Sequence, residues 1–212
     1  MKLKQILFND YYKEVEPKKQ VYLHHTAGTG KGDNVFAIWE NDKIGKIGTC
    51  VVIGRDGTIF QGFKSEHWAY HLGLTSAPFK ANGVPFINLD KLSIGIEIVN
   101  WGYLVKKGDK FYSYVNSEVP IDQVCELATP YKGQKYWQNY TDDQIASVVE
   151  LLKLWKEKYG INLAYNEDIW DVTKRALKGE EGVFTHNSVR PDKADVYPHP
   201  KLIEMLKSLT KK

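Results

Sequence analysis

"LSIGIEIVN", residues 92–100, is the stretch that decides the fold. Ile94, Ile96 and Ile98 occupy alternate positions, and this period of two predicts a β-strand with one apolar face. Glu97 lies between two of them, so its carboxyl group points away from the isoleucine face. The segment therefore predicts a buried strand that carries one acidic side chain on its other face.

Further strands and hairpins are predicted on both sides of this segment. "QVYLHH" (20–25) and "GVFTH" (182–186) have the composition of short strands. Residues 48–63 form the clearest hairpin, which turns at Arg55-Asp56-Gly57, and residues 103–115 form a second one. Residues 116–140 show no clear period and are predicted to be irregular.

Four helices are predicted from their capping residues and apolar spacing. Asp33 caps a short helix over residues 34–42, and Asn166 caps another that runs to about Leu177. Thr141 and Gln144 form a capping box for a long helix that Gly160 ends. "KLIEMLKSL" (201–209) has helical spacing and closes the chain.

Strands and helices mix along the chain without a repeat or a linker. This organisation predicts an α/β protein with a central mixed β-sheet and helices packed on it. A length of 212 residues suits one domain, 1–212, with its core at about residues 20–209 and an insertion at about 102–140.

Composition and charge exclude several classes of protein. The formal net charge of +3 is small and the lysines are spread out, which argues against a nucleic-acid partner. No run approaches the roughly 20 apolar residues of a membrane span. Cys50 and Cys125 form no C-x-x-C pair, and the early apolar run "ILF" is too short for a signal peptide. We expect synthesis in the cytoplasm without a signal peptide. We also expect the protein to be a monomer.

A metal site is the functional hypothesis that the histidines suggest. His186, Lys193 and Asp195 stand close together in the proline-rich stretch "GVFTHNSVRPDKADVYPHP" (182–200). A metal bound by His186 and Asp195 needs another ligand, and either His24 or His25 can supply it, because neighbouring side chains of a strand face opposite ways. Two histidines and a carboxylate are a recognised catalytic zinc set, and Lys193 would place a cation where an oxyanion develops.

Five motifs in order resemble a known family. "VYLHHTAG", "VVIGRDGTIFQ", "HWAYHLG", "LSIGIEIVN" and "FTHNSVRPDKAD" are similar to motifs of the zinc-dependent N-acetylmuramoyl-L-alanine amidases. This amidase-2 family includes T7 lysozyme-like endolysins, AmpD-like recycling enzymes and peptidoglycan recognition proteins. The resemblance runs from about residue 20 to residue 209 and implies an α/β fold with a zinc site in a surface groove.

The resemblance also implies roles for particular residues. It assigns one Zn²⁺ per chain to His24, His186 and Asp195, and it assigns catalysis to Glu97 and Lys193. Substrate contacts or supporting roles near the metal are expected for four more residues: His25, His71, Asn100 and Trp101. Thr49 and Cys50 depart from the tyrosine and histidine of T7 lysozyme-like members, which moves the expected proton transfer to Glu97.

The implied function is zinc-dependent hydrolysis of the amide between N-acetylmuramic acid and L-alanine in peptidoglycan, as in a bacteriolytic endolysin. Two alternatives stay open: a cytosolic recycling amidase for soluble anhydro-muropeptides, and a non-catalytic peptidoglycan-binding module. The aromatic residues of the 102–140 insertion could line a substrate groove or simply pack the insertion onto the core.

Overall fold

Six strands form the central sheet, in the order β1-β4-β3-β5-β2-β11. The computed structural model describes residues 2–28 and 30–210. The strands of this sheet are β1 (Leu3–Gln5), β2 (Gln20–His25), β3 (Val51–Ile53), β4 (Ile59–Gln61), β5 (Ser93–Ile98) and β11 (Gly182–Thr185). All neighbouring pairs are parallel except the β3–β4 hairpin, so the sheet is mixed, as predicted.

The three strands β5, β2 and β11 are buried along almost their whole length. Ile94, Ile96 and Ile98 are at most 2% exposed, which agrees with the apolar face predicted for β5. Continuous buried runs of this kind are typical of parallel strands that are covered on both faces. The α/β fold class predicted from the sequence is confirmed.

Six α-helices accompany the two sheets of the protein within the described residues. They are α1 (Gly32–Glu40), α2 (Ser76–Ala81), α3 (Leu89–Leu92), α4 (Asp142–Tyr159), α5 (Lys174–Leu177) and α6 (Pro200–Leu209). α4 contacts both β3 and α6, and α1 contacts β3 and β4. In the described part of the chain, none of these helices has the length and apolar content that crossing a bilayer requires.

Helix α4 begins and ends as the sequence predicts. The Thr141 hydroxyl accepts a hydrogen bond from the Gln144 N–H at 3.1 Å, and the Gln144 side chain accepts one from the Thr141 N–H at 3.1 Å. At the other end Gly160 has φ 74°, the left-handed conformation in which glycine carries no Cβ penalty. Val148, Leu152 and Trp155 bury the apolar face of the helix.

Residues 116–140 are not irregular, and this prediction was wrong. They contribute three strands to a second, antiparallel sheet of order β8-β7-β6-β10-β9. Its strands are β6 (Tyr103–Lys107), β7 (Lys110–Tyr112), β8 (Glu118–Val119), β9 (Val124–Tyr131) and β10 (Gln134–Gln138). The predicted hairpin at 103–115 is confirmed as its β6–β7 pair.

Two helix predictions also need correction. α1 starts at Gly32, so Asp33 lies inside its first turn instead of capping it. The helix predicted from Asn166 to about Leu177 is split into a 3₁₀ turn, Glu167–Trp170, and the short α5. The Asp168 carboxylate, within the 3₁₀ turn, accepts hydrogen bonds from Thr173 and Arg175, and these side-chain bonds hold the bend between the turn and α5.

We predict that Thr141→Ala lowers the free energy of unfolding by about 1–2 kcal/mol, because the Thr141 hydroxyl caps α4 and also donates to the Arg55 carbonyl at 2.8 Å. Urea denaturation measures the change. Lys153→Ala, on the exposed side of the same helix, is the control and is expected to change it by less than about 0.5 kcal/mol. Equal losses in the two variants would contradict the capping role.

Candidate metal centre and active-site cleft

The register of three parallel strands brings the candidate ligands together. Gln20 to His25 of β2 pair in step with Ser93 to Ile98 of β5, so His24 lies opposite Glu97. On the other side Leu23 pairs with Thr185, the last residue of β11, and His186 follows it. All three strands end at the same edge of the sheet, which is where ligands bind in α/β proteins.

Three side chains converge at this edge. His24 Nδ1 lies 3.1 Å from His186 Nδ1, although the two residues are 162 positions apart. Asp195 Oδ2 lies 3.2 Å from His24 Nδ1 and 2.9 Å from His186 Nδ1. Both histidines are buried, at 3% and 6% exposure. These three side chains form a group that could hold a metal ion.

The spacing of these atoms fits a tetrahedral zinc site. Zinc bonds of about 2.0–2.2 Å in tetrahedral geometry separate neighbouring ligand atoms by about 3.3 Å. The three observed separations of 3.1, 3.2 and 2.9 Å are close to this value. In addition, His186 Nε2 lies 2.9 Å from the Leu72 carbonyl and donates to it, which directs Nδ1 at the site.

The pKa shifts of His24 and Asp195 agree with this chemistry. Burial, together with the neighbouring His186, lowers the pKa of His24 to about 4, so its imidazole is neutral at neutral pH. Burial alone would raise the pKa of Asp195, but its contacts with His186 and His24 outweigh burial and hold the pKa well below its usual range. Neutral imidazoles and an ionised carboxylate are the forms in which these groups bind a metal.

The two residues with expected catalytic roles line the same cleft. This cleft has a volume of about 400 Å³, and its walls include Glu97 and Lys193 beside the three candidate ligands. Burial, followed by the charge of Asp195, raises the pKa of Glu97 well above its usual value, and Lys193 lowers it in part. A half-buried carboxyl group with a raised pKa beside a candidate metal site is typical of a proton-transfer residue.

His71 contacts a candidate ligand from behind, whereas His25 lies beside the donor set. His71 Nδ1 lies 3.0 Å from His24 Nε2, and His71 Nε2 lies 2.9 Å from the Ser93 hydroxyl. The second strand-end histidine, His25, lies beside the donor set at the edge of the cleft, and its Nδ1 contacts the Tyr140 hydroxyl at 3.1 Å. The structure thus brings His24 into the donor set and leaves His25 next to it.

Asn100 and Trp101 differ in their placement, although both were expected near the substrate. Trp101 lines the cleft. Asn100 is fully buried, and its amide donates to the carbonyls of Gln138 and Asn139 at 2.9 and 3.1 Å. Its side chain joins the second sheet to the end of β5, and Asn100 is not among the residues that line the cleft.

The insertion contributes some of its aromatic rings to the cleft and packs the others. Tyr103, Tyr114 and Trp137 line the cleft with Trp101, and Tyr114 is 53% exposed. Phe111 packs against Tyr136 in a small second core, with ring centroids 5.0 Å apart. Some rings of the insertion therefore line the cleft, and others pack within the insertion.

A second cleft adjoins the first at the candidate metal site. Its volume is about 640 Å³, and it shares His71, His186 and Lys193 with the first cleft. Its remaining walls are largely apolar and include Tyr70 and Phe86. The donor set thus lies where two clefts meet, so a substrate that crosses it could have one part in each cleft.

The protein is a mixed-sheet α/β protein in which two histidines at strand ends and one loop carboxylate form a donor set of the kind that catalytic zinc sites use. A family model described as N-acetylmuramoyl-L-alanine amidase matches residues 14–200. The chain belongs to this family. A comparison with curated protein sequences gives no significant match.

Solved structures share the fold. N-acetylmuramoyl-L-alanine amidase LysC from Clostridium intestinale URNW is 14% identical with a TM-score of 0.56, over 100% of this chain and 99% of that chain. PlyL is 13% identical with a TM-score of 0.54, over 98% and 96%. AmiD from E. coli, in complex with the substrate anhydro-N-acetylmuramic acid-L-Ala-D-gamma-Glu-L-Lys, is 19% identical with a TM-score of 0.52, over 89% and 57%. Family membership supports peptidoglycan amidase activity.

Gly95 leaves room for the side chains behind the site, and this generates a prediction. A Cβ at Gly95 would collide with Thr49 Cγ2 and would lie 3.1 Å from His71 Nδ1. Gly95→Ala should therefore lower the free energy of unfolding by about 1–3 kcal/mol. Thr49→Ser removes the methyl group and keeps the hydroxyl that donates to the Val51 carbonyl at 2.8 Å, so it should restore part of the loss.

Urea denaturation of both single variants and of the double variant tests this coupling. We expect the double variant to be more stable than the sum of the two single changes predicts. Strict additivity would show that the Thr49 methyl group does not limit the space at Gly95.

Proposed function

We propose that the protein, as a single catalytic domain of residues 1–212, hydrolyses the amide between N-acetylmuramic acid and L-alanine in peptidoglycan. The observation that carries the proposal is the convergence of His24, His186 and Asp195 within 3.2 Å of one another at the edge of the sheet. We further propose that these three residues hold one Zn²⁺ and that the protein acts as a monomer.

Zinc in such a site polarises an amide carbonyl as a Lewis acid and activates water for attack. The protein side of this chemistry is the donor set. Two neutral imidazoles and one carboxylate leave a fourth position for the reactants, as catalytic zinc sites require. The hydrogen bond from His186 Nε2 to the Leu72 carbonyl fixes the orientation of one of the rings.

Glu97 is the proposed proton-transfer residue. It stands opposite His24 in the sheet and faces the cleft, so its carboxylate can take a proton from the attacking water. The same carboxyl group can then give that proton to the nitrogen of the leaving L-alanine. Its raised pKa supports this second step, because a carboxyl group with an ordinary pKa would hold almost no proton at neutral pH.

Lys193 is proposed to stabilise the negative charge that develops on the carbonyl oxygen. Its side chain lines both clefts, two positions before Asp195 in the chain. A cation next to the reacting carbonyl is worth more in a site that is screened from water than at an exposed surface. Its charge also favours the ionised form of Glu97, which is the form that accepts a proton from water.

The target that we propose is the cell wall, as for an endolysin. Two clefts that meet at the donor set suit a substrate that extends on both sides of the cut bond. The formal net charge of +3 favours approach to an anionic wall. Trp101 and Tyr114 stand in the cleft with ring centroids 6.2 Å apart, and they offer apolar ring faces to a bound substrate.

A recycling amidase for soluble anhydro-muropeptides is the second candidate. The likeness to AmiD favours it, because that structure holds an anhydro-N-acetylmuramic acid peptide. The third possibility, a binding module without catalysis, is disfavoured because both Glu97 and Lys193 line the cleft that contains the donor set.

We predict that the purified protein releases free stem peptides that begin with L-alanine from purified peptidoglycan, and mass spectrometry of the products identifies them. Whole sacculi and soluble anhydro-muropeptides are compared at equal bond concentration. Faster release from sacculi supports a lytic role, and faster release from the soluble substrate supports recycling. Products with cut glycan strands and intact lactyl amides would refute the proposed reaction.

The proposed roles predict different losses in three variants. Asp195→Ala should lose both bound zinc and activity, because it removes a ligand. Lys193→Ala and Glu97→Gln should keep about one zinc per chain and lose turnover by at least about 100-fold, the size of effect expected for an oxyanion partner or a proton-transfer residue. Zinc content is measured by elemental analysis. Full activity of either zinc-loaded variant would show that its assigned role is wrong.

A further inference from the structure

Both histidines of the donor set are held from behind by two consecutive residues. His24 Nε2 lies 3.0 Å from His71 Nδ1, and His186 Nε2 lies 2.9 Å from the Leu72 carbonyl oxygen. The two histidines come from different strands, whereas both of their partners come from one loop. The orientation of both imidazole rings therefore depends on where this loop lies.

The backbone of this loop is tied to one buried carboxylate. Asp90 Oδ1 accepts hydrogen bonds from the N–H groups of His71 at 2.9 Å and of Leu72 at 3.0 Å. His71 and Leu72 lie outside any helix or strand. The Asp90 carboxylate therefore accepts the hydrogen bonds that backbone carbonyls would accept within a helix or sheet. Asp90 itself is 2% exposed and belongs to helix α3.

Ser93 contacts the ring of His71 on the side away from His24. The Ser93 hydroxyl lies 2.9 Å from His71 Nε2, and Ser93 opens strand β5 three positions after Asp90. A metal at His24 Nδ1 requires the proton of that ring to be on Nε2, which donates to His71 Nδ1. The His71 ring must then carry its own proton on Nε2 and donate it to Ser93, so the whole chain of hydrogen bonds has one direction.

We propose that Asp90, together with Ser93, positions the metal centre: its carboxylate fixes the backbone of residues 71–72, and that backbone orients both histidine ligands. The inference rests on the proposed zinc site and adds two residues that act on the ligands without being ligands themselves. Asp90 acts on two ligands at once, whereas Ser93 acts on His24 alone through His71.

Zinc affinity of the full-length chain tests this role, measured by competition with a chromogenic chelator of known affinity. Asp90→Ala should weaken Zn²⁺ binding by about 10–100-fold, the usual effect of losing a residue that supports a ligand. Asp90→Asn should bind more tightly than Asp90→Ala, because its amide oxygen can still accept both N–H groups. Ser93→Ala should weaken binding by about 10-fold.

Gln20→Ala is the matched control for a loss of stability without a loss of positioning. Gln20 is fully buried in β2, the strand of His24, and its amide donates to the Ala176 and Glu180 carbonyls at 3.1 and 2.9 Å. It lies four positions before His24, about 13 Å along the strand. We expect this variant to be less stable than wild type and to keep wild-type zinc affinity.

The absorption spectrum of the Co²⁺-substituted protein gives a second readout, because its visible bands depend on ligand geometry. We expect Asp90→Ala to shift these bands and Gln20→Ala to leave them unchanged. Circular dichroism verifies that each variant is folded under the conditions of the zinc and cobalt measurements. If Asp90→Ala does not fold, Ser93→Ala decides the outcome.

Folded Asp90→Ala or Ser93→Ala protein with the zinc affinity of Gln20→Ala would overturn the positioning role. This result differs from a failure of the proposed function. If wild-type protein bound no zinc and Asp195→Ala changed nothing, the metal centre itself would be wrong. If Asp195→Ala lost zinc while Asp90→Ala kept it, only the role of Asp90 would be wrong.

Discussion

The register of β11, β2 and β5 is the constraint on which the rest of the structure depends. Backbone pairing places His24 level with Glu97 on one side and next to His186 at the end of β11 on the other. Side chains of a strand alternate between faces, so a slip of one residue would turn His24 away and bring Leu23 or His25 into its place. The same slip would turn the His24 imidazole into the position that Leu23 now fills in the core, so the hydrophobic core protects the geometry of the site.

The sequence was sufficient for the elements that have a strong local signal. Strand β5 has an uninterrupted alternation, and α4 has both a capping box and a terminal glycine, so each was predicted correctly. The candidate donor set could also be proposed from the sequence, because His24 and Asp195 belong to recognisable motifs. In contrast, Asp90 could not be found from the sequence, because its partners are backbone N–H groups, which every residue other than proline carries.

The strands β8, β9 and β10 of the second sheet were missed, although two weak signals were present. Cys125 and Leu127 alternate with exposed residues in β9, and Lys132-Gly133 forms a turn with positive φ at both positions. Such a turn is typical of a tight hairpin, but Pro130 and the many polar side chains obscured the alternation. The sheet matters for function because Gln138 of β10 accepts hydrogen bonds from Asn100 and from the Trp101 N–H, which fixes the cleft wall to the end of β5.

The charge balance of the site follows from how its polar groups are satisfied. Buried polar groups cost free energy unless they are hydrogen bonded, and here the outer nitrogens of His24 and His186 bond to a neutral ring and to a backbone carbonyl. Asp195 therefore supplies the single negative charge of the donor set, and a divalent ion bound there would keep a net positive charge. That excess charge is what makes a bound metal an effective Lewis acid, and the positive side chain of Lys193 adds to it.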